Sequence, residues 1–134
     1  MPRPAKKAKT TGVTRIDPGA RMSEASVWDG IVYLAGQVAG GDAAKGDITV
    51  QTTAVLKQID ELLAKAGTDK THILRAQIYL PNIGDFAAMN AVWEGWVAKE
   101  SPPSRATVEA KLANAFVPIA LRVGADHARA RARI

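Results

Sequence analysis

Arg105 is the residue of this sequence whose type and position best suit chemistry on a small anion. It follows Pro102 and Pro103, which cannot continue a helix and which favour extended backbone. The pattern after them alternates, with Arg105, Thr107 and Glu109 on one face of a predicted strand. A guanidinium is a fixed, charged fork that matches a carboxylate, so Arg105 is the candidate anchor for an anionic substrate. The alternative is a structural salt bridge, for example to a neighbouring subunit.

Other reactive side chains are sparse. The chain has no cysteine, which excludes disulfides, a thiol nucleophile and cysteine metal sites. Its two histidines, His72 and His127, are far apart in the sequence and do not form a metal-ligand pair. We therefore expect no metal and no cofactor.

Length and composition indicate one globular domain. The chain has 134 residues, of which 47% are hydrophobic, enough to form a core. No apolar run approaches the roughly 20 residues of a membrane span, and the N-terminus lacks the apolar segment of a signal peptide. We expect a cytoplasmic protein that does not bind membranes.

The net charge of +5 comes from the two ends of the chain. Seven of the 18 basic residues lie there, which leaves 11 basic against 13 acidic residues in the body. We expect residues 1–12 and 127–134 to be basic tails, the first of them disordered, flanking a domain at 13–126. Nucleic acid is an unlikely partner, because the aromatic residues are scattered rather than arranged for base stacking; tethering by the basic tails is the remaining possibility.

The first part of the domain predicts three strands. Residues 13–17 are followed by the turn dipeptide Pro18-Gly19. Residues 25–28 and 31–35 flank Asp29-Gly30, and Asp-Gly between apolar runs is a strong hairpin signal.

Two helices and three further strands follow. Asp47 can cap a helix that Gly67 ends, with a predicted apolar stripe of Val55, Ile59, Leu62, Leu63 and Ala66. Asp85 can cap a second helix, with a predicted stripe of Phe86, Met89, Trp93, Trp96 and Val97. Residues 73–80, the Arg105 segment and residues 117–125 alternate as strands.

The element order β-β-β-α-β-α-β-β predicts an α+β fold with one mixed sheet and two helices on one face. In residues 73–80 we expect Leu74, Ala76, Ile78 and Leu80 to share one face. The uncovered face of the sheet should carry either a polar set or the complementary apolar set. That polar set is Arg105, Thr107, Glu109, Arg75, Gln77, Ala120 and Arg122. A sheet covered on one side only usually needs a partner, so we expect an oligomer.

The sequence resembles the RidA/YjgF (RutC) family of reactive-intermediate deaminases, in particular its YoaB-like members. Four segments carry the resemblance: residues 30–38 (GIVYLAGQV), the helix and turn at 56–73, residues 85–93 (DFAAMNAVW) and residues 103–108 (PSRATV). The first, third and fourth segments match a strand ending in Ser/Thr-Gly-Gln, a D-F-x-x-M-N-x-x-(W/Y) motif and a P-x-R-x-x-V motif, and the second matches the family's helix and turn. Together they span nearly the whole domain.

The resemblance implies a chorismate-mutase-like fold that forms homotrimers, with sheets in a central barrel and ligands in clefts between subunits. It implies hydrolysis of 2-imino and 2-enamino acids to 2-keto acids and ammonia. The family arginine matching Arg105 binds the substrate carboxylate, and main-chain groups around Gly36 and Thr107 complete the pocket. Asn90 matches a family asparagine near the cleft, although it could equally be an ordinary helix-surface amide.

Several polar residues of the archetype are replaced here. Ala35 stands where the family has a serine, Ala120 where it has a glutamate thought to position water, and Thr107 where it has a cysteine. A family tyrosine aligns with about Met22. Glu24 and Glu109 are possible substitutes, but no sequence feature places either beside Arg105. The expected function is imine deamination; the alternative is a non-catalytic trimer that binds a keto-acid-like metabolite.

Overall fold

A computed structural model describes residues 12–113 and 119–124. Six strands form one sheet in the order β1-β2-β3-β6-β4-β5. Only the β4–β5 pair is parallel. The strands are β1 (Thr14–Pro18), β2 (Ser23–Trp28), β3 (Ile31–Leu34), β4 (Ile73–Leu80), β5 (Ser104–Glu109) and β6 (Ile119–Gly124). Helices α1 (Ile48–Lys65) and α2 (Phe86–Trp96) precede β4 and β5, so the predicted element order is confirmed. The predicted tails, and Val117 and Ala125 of the last strand, lie outside the described residues.

The β2–β3 hairpin forms where Asp-Gly predicted it. Both turn residues have positive φ, 50° for Asp29 and 79° for Gly30, as a two-residue type I′ turn requires. This turn pairs Trp28 with Ile31 and places Ala25 opposite Leu34. Ala25, Val32 and Leu34 are buried, which directs one face of the hairpin toward the helices.

Helix α1 packs its predicted stripe against the sheet. Val55, Ile59, Leu62 and Leu63 are buried, Ala66 packs at the edge of the core, and Leu56 joins them. The helix ends at Lys65, and two residues later Gly67 adopts a φ of 81°, the left-handed conformation that follows many helix ends.

Asp47 caps α1, as predicted: its Oδ1 accepts a hydrogen bond from the Val50 backbone N–H at 2.9 Å. Asp47→Ala should lower the free energy of unfolding by about 1 kcal/mol, because one N–H of the first turn loses its partner. Urea denaturation followed by circular dichroism measures this change. Asp47→Ser is the matched control, since a serine can accept the same bond, and an equal loss in both variants would contradict the capping role.

The second helix begins differently from the prediction. Asp85 occupies the N-cap position of α2 but makes no capping hydrogen bond with its side chain. Instead Asn82 accepts from the Gly84 N–H at 2.8 Å in the short 3-10 turn Ile83–Asp85 that leads into the helix. Phe86, predicted to be in the buried stripe, is 42% exposed at the first residue of the helix. Met89 and Trp93 are buried, and Trp96 and Val97 pack against them.

A bulge at the start of β4 changes the predicted face of two residues. The pairing of β4 with β6 shifts register between Ile73 and Arg75. Ile73, only 5% exposed, therefore joins Ala76, Ile78 and Leu80 on the buried face, whereas Leu74 is 51% exposed. The predicted grouping of Ala76, Ile78 and Leu80 on one face is confirmed, and the inclusion of Leu74 in that group is wrong.

The register of β5 separates the polar residues that the sequence grouped together. Ala76 pairs with Arg105 and Ile78 with Thr107, so Arg105, Thr107 and Glu109 share the helix-covered side of the sheet with the core. Arg75 pairs with Ser104 and Gln77 with Ala106, which puts those residues on the opposite, open face. Neither of the two predicted sets is therefore correct as a whole.

No helix among the described residues is long and apolar enough to cross a membrane.

Candidate functional site

Arg105 lies near the start of β5, which forms one edge of the sheet, and its side chain faces α2. Its Cζ is 5.3 Å from the centroid of the Trp93 ring, a cation–π distance. Partial burial lowers the pKa of Arg105, and the nearby Glu94 carboxylate partly offsets this effect. The residue stays charged, since an arginine keeps its proton in proteins.

The N–H donors of the Arg105 guanidinium have no hydrogen-bond partner among the residues whose side chains the structure describes. With residues 12–113 it makes no hydrogen bond and no ion pair, and Glu94 acts on it only at a distance. A structural salt bridge within this part of the subunit is thus not its role. Burying a charge without a polar partner is costly, so a half-buried free guanidinium is the kind of group that a bound anion would stabilise.

Thr107 lies two residues further along the same face of β5. Its Oγ1 is buried and has no hydrogen-bond partner among the described residues. Buried hydroxyls are nearly always hydrogen-bonded, so an unpartnered one close to a free cation suggests a polar ligand or water at this place. Arg105 and Thr107 are the two predicted site residues that β5 brings together.

Glu109 has a structural partner. Its Oε1 accepts the backbone N–H of Ile83 at 2.9 Å and so connects the end of β5 to the turn before α2. This bond makes Glu109 a poor candidate for the missing base beside Arg105.

Glu109→Gln should therefore leave both folding and turnover close to wild type, because a glutamine Oε1 can accept the same bond. Glu109→Ala should lower the free energy of unfolding by about 1 kcal/mol through loss of that bond. Denaturation curves and steady-state assays of the two variants test this. A folded Glu109→Gln protein without turnover would instead assign acid–base chemistry to the carboxylate.

Gly36 is not near Arg105 in the same subunit. It follows β3, three strand positions from β5, which corresponds to about 14 Å at the usual spacing between strands. The main chain beside it is held by Gln37, which is buried and donates to Glu24 Oε1 at 3.0 Å and to the Ala35 carbonyl at 3.2 Å. Glu24 therefore lies beside the Gly36 segment rather than beside Arg105.

Asn90 is half-buried on α2, one turn before Trp93 and Glu94. Its side chain makes no hydrogen bond with the described residues, so its position fits both interpretations: a residue near the cleft and an ordinary amide on the helix surface. Ala120, where the family has a glutamate, pairs with Gln77 across β4 and β6.

Trp93 is the neighbour of Arg105 that the sequence did not reveal. It was predicted to be a core aromatic, and it is one, with only 6% of its surface exposed. Its contact with Arg105 depends on how α2 lies on β5, which no local pattern encodes. The described residues contain no group of three or more His, Cys, Asp or Glu side chains able to hold a metal ion.

Comparisons with known proteins agree with this architecture. A family model described as Endoribonuclease L-PSP matches residues 12–125. A RutC family protein of Haemophilus ducreyi is 47% identical over 102 residues, 76% of this chain and 86% of the relative. The RutC family protein YoaB of Escherichia coli is 38% identical over 111 residues, 83% of this chain and 95% of the relative.

A solved structure shows the same arrangement. NMB1025 of Neisseria meningitidis, described as a member of the YjgF protein family, has a TM-score of 0.80 at 40% identity and covers 84% of this chain and 94% of its own. The mixed sheet with two helices on one face is thus an α+β domain of the YjgF type. The chain belongs to the Endoribonuclease L-PSP family, whose members include the RutC and YjgF proteins, as its four sequence motifs predicted.

Proposed function

We propose that this protein hydrolyses small 2-imino and 2-enamino acids to 2-keto acids and ammonia, with Arg105 binding the substrate carboxylate. One observation carries the proposal: the half-buried Arg105 guanidinium makes no ion pair or hydrogen bond among the described residues. Thr107 supports it, because its unpartnered Oγ1 lies on the same face of β5. Family membership supports a RidA-like role in general.

The reaction requires the protein chiefly to position its reactants. Water adds to the electrophilic imine carbon and gives a carbinolamine, whose nitrogen gains a proton and leaves as ammonia while the C–O bond becomes the keto group. Arg105 would hold the carboxylate in its fork and keep the adjacent imine carbon at a fixed place.

We also propose a homotrimer in which a neighbouring subunit completes the site. Two observations support assembly. The open face of the sheet carries exposed aromatic residues, with Trp28 at 53% and Tyr33 at 41% exposure. In addition, Gly36 lies three strand positions from Arg105 in one subunit, so the two could share a ligand only across an interface. Light scattering coupled to size-exclusion chromatography tests the trimer, and a monomer at micromolar concentration would contradict it.

A second candidate is a non-catalytic trimer that binds a keto acid or similar metabolite. Ala35 and Ala120 favour it, because neither can place a water or move a proton, whereas the family has a serine and a glutamate there. The carboxylate anchor would be retained and the hydrolysis lost.

Turnover distinguishes the two candidates. An amino-acid oxidase acting on alanine generates 2-iminopropionate, and the rate of pyruvate formation is compared with and without this protein. Acceleration above spontaneous hydrolysis supports the deaminase. Binding of pyruvate in calorimetry without acceleration supports the binding protein, and absence of both contradicts the carboxylate site. Because the matching family model is described as an endoribonuclease, RNA is incubated with the protein in a parallel assay. We expect this RNA to remain intact.

A further inference from the structure

We infer that Trp93 is a positioning residue that holds the Arg105 guanidinium by its ring face and keeps its N–H donors free for a carboxylate. The inference rests on the proposed function, since it concerns how the same site binds its ligand. It assigns to a core tryptophan a role in affinity that its burial alone does not indicate.

The Arg105 cation lies against an aromatic ring and forms no ion pair among the described residues. A carboxylate paired with Arg105 would occupy the N–H fork and compete with a substrate carboxylate. Instead the described residues place the Trp93 ring against the cation, at 5.3 Å from Cζ to the ring centroid. An aromatic face attracts a cation without accepting its hydrogen bonds, so the guanidinium is held while its donors stay available.

The Trp93 ring is held in place by its neighbours. Trp93 is almost fully buried, and its centroid lies 5.4 Å from that of Trp96, with the ring planes inclined at 52°. Trp96 is itself fixed between the helices, because its Nε1 donates to Asp60 Oδ2 of α1 at 2.9 Å. The Lys70 ammonium lies 5.1 Å from the Trp96 ring centroid on the way into β4. Arg105 therefore rests on a support that extends from α2 to α1.

Glu94, the residue after Trp93, is an acidic residue close enough to act on the charge of Arg105. Its carboxylate acts on Arg105 electrostatically, yet the two form no ion pair in the described part of the molecule. Helix geometry turns Glu94 about 100° away from Trp93 around the axis of α2, which leaves the ring and not the carboxylate against the cation. Helix α2 therefore places the Trp93 ring beside the Arg105 cation, whereas the carboxylate of the next residue, Glu94, forms no ion pair with it in the described part of the molecule.

Three variants separate positioning from packing. Trp93→Phe keeps an aromatic face, Trp93→Leu keeps only apolar volume, and Met89→Leu changes a buried neighbour on α2 that has no contact with a cation. Pyruvate binding is measured by calorimetry, and the KM and kcat for 2-iminopropionate are measured where turnover occurs. Loss of a desolvated cation–π contact predicts that Kd and KM rise about 5- to 30-fold in Trp93→Leu, less in Trp93→Phe and not in Met89→Leu.

A ligand-independent measurement accompanies these variants. The Arg105 Nε–Hε resonance should be shifted by the ring current of Trp93, and Trp93→Leu should remove that shift.

The possible results are distinguishable. If wild type binds pyruvate, Arg105→Ala does not, and a folded Trp93→Leu binds as tightly as wild type, the inference is overturned while the proposed function stands. Equal weakening in Trp93→Leu and Met89→Leu would also overturn it, because packing alone would then explain the effect. If wild type neither binds pyruvate nor accelerates hydrolysis, the proposed function fails and the inference fails with it.

Discussion

Arg105→Ala is expected to weaken binding of a 2-keto acid at least about 25-fold and to lower kcat/KM for a 2-imino acid by a similar factor or more. Removing one partner of a hydrogen-bonded charge pair in a partly desolvated site costs at least about 2 kcal/mol, and 1.4 kcal/mol corresponds to a factor of ten. The fold should survive, because Arg105 makes no ion pair or hydrogen bond with the described residues that the substitution would break.

Arg105→Lys sharpens this prediction. A lysine keeps the charge but presents a point charge instead of a planar fork, so we expect affinity between those of wild type and Arg105→Ala. Arg21→Ala is the matched control, since it removes the same charge from an exposed turn between β1 and β2. Calorimetry with pyruvate and steady-state kinetics provide the measurements. Wild-type affinity in Arg105→Ala would refute the assigned role and return Arg105 to a structural one.

The largest effect on stability is expected at Ile59. This residue of α1 is fully buried between the helices and the sheet. Ile59→Ala should reduce the free energy of unfolding by about 2–5 kcal/mol, because it removes buried methyl groups and leaves a cavity that the surrounding core fills only in part. Chemical denaturation monitored by circular dichroism gives the value.

Two further substitutions show whether burial is the cause. Ile59→Val removes one methylene group and should cost only about 0.5–1.5 kcal/mol. Val50→Ala lies on the same helix at an exposed position, and its effect should stay within about 0.5 kcal/mol. A large loss at Val50, or none at Ile59, would contradict the position of the core.

Features that depend on neighbouring residues in the chain were predictable. The Asp29-Gly30 turn follows from backbone conformations that few other residue pairs adopt easily, and the positive φ values confirm it. Helix α1 follows from the 3.6-residue spacing of its apolar side chains, with Asp47 and Gly67 at its ends. The family motifs added the topology, which local patterns alone do not provide.

Features that depend on how strands meet were not predictable. The bulge between Ile73 and Arg75 decides which of two adjacent apolar residues, Ile73 or Leu74, faces the core, and the alternation of the sequence does not distinguish them. The pairing of β5 with β4 places Arg105 opposite Ala76 rather than opposite Arg75, and a shift of one residue would send every side chain of β5 to the other face. Asp85 shows the same limit for helices: it occupies the N-cap position of α2 without a side-chain capping bond, and the capping bond of Asn82 belongs to the preceding turn Ile83–Asp85.

The sequence by itself determined that a charged fork stands near the start of a strand, in a domain of recognisable family and element order. It could do so because alternation, turn chemistry and motif spacing are properties of consecutive residues. Only the tertiary structure decided what surrounds that fork. The register of β5 turns Arg105 toward the helices, and the packing of α2 puts the Trp93 ring against it. Contacts between elements far apart in the chain fix both, and among the described residues they give the Arg105 guanidinium an aromatic neighbour and no ion pair.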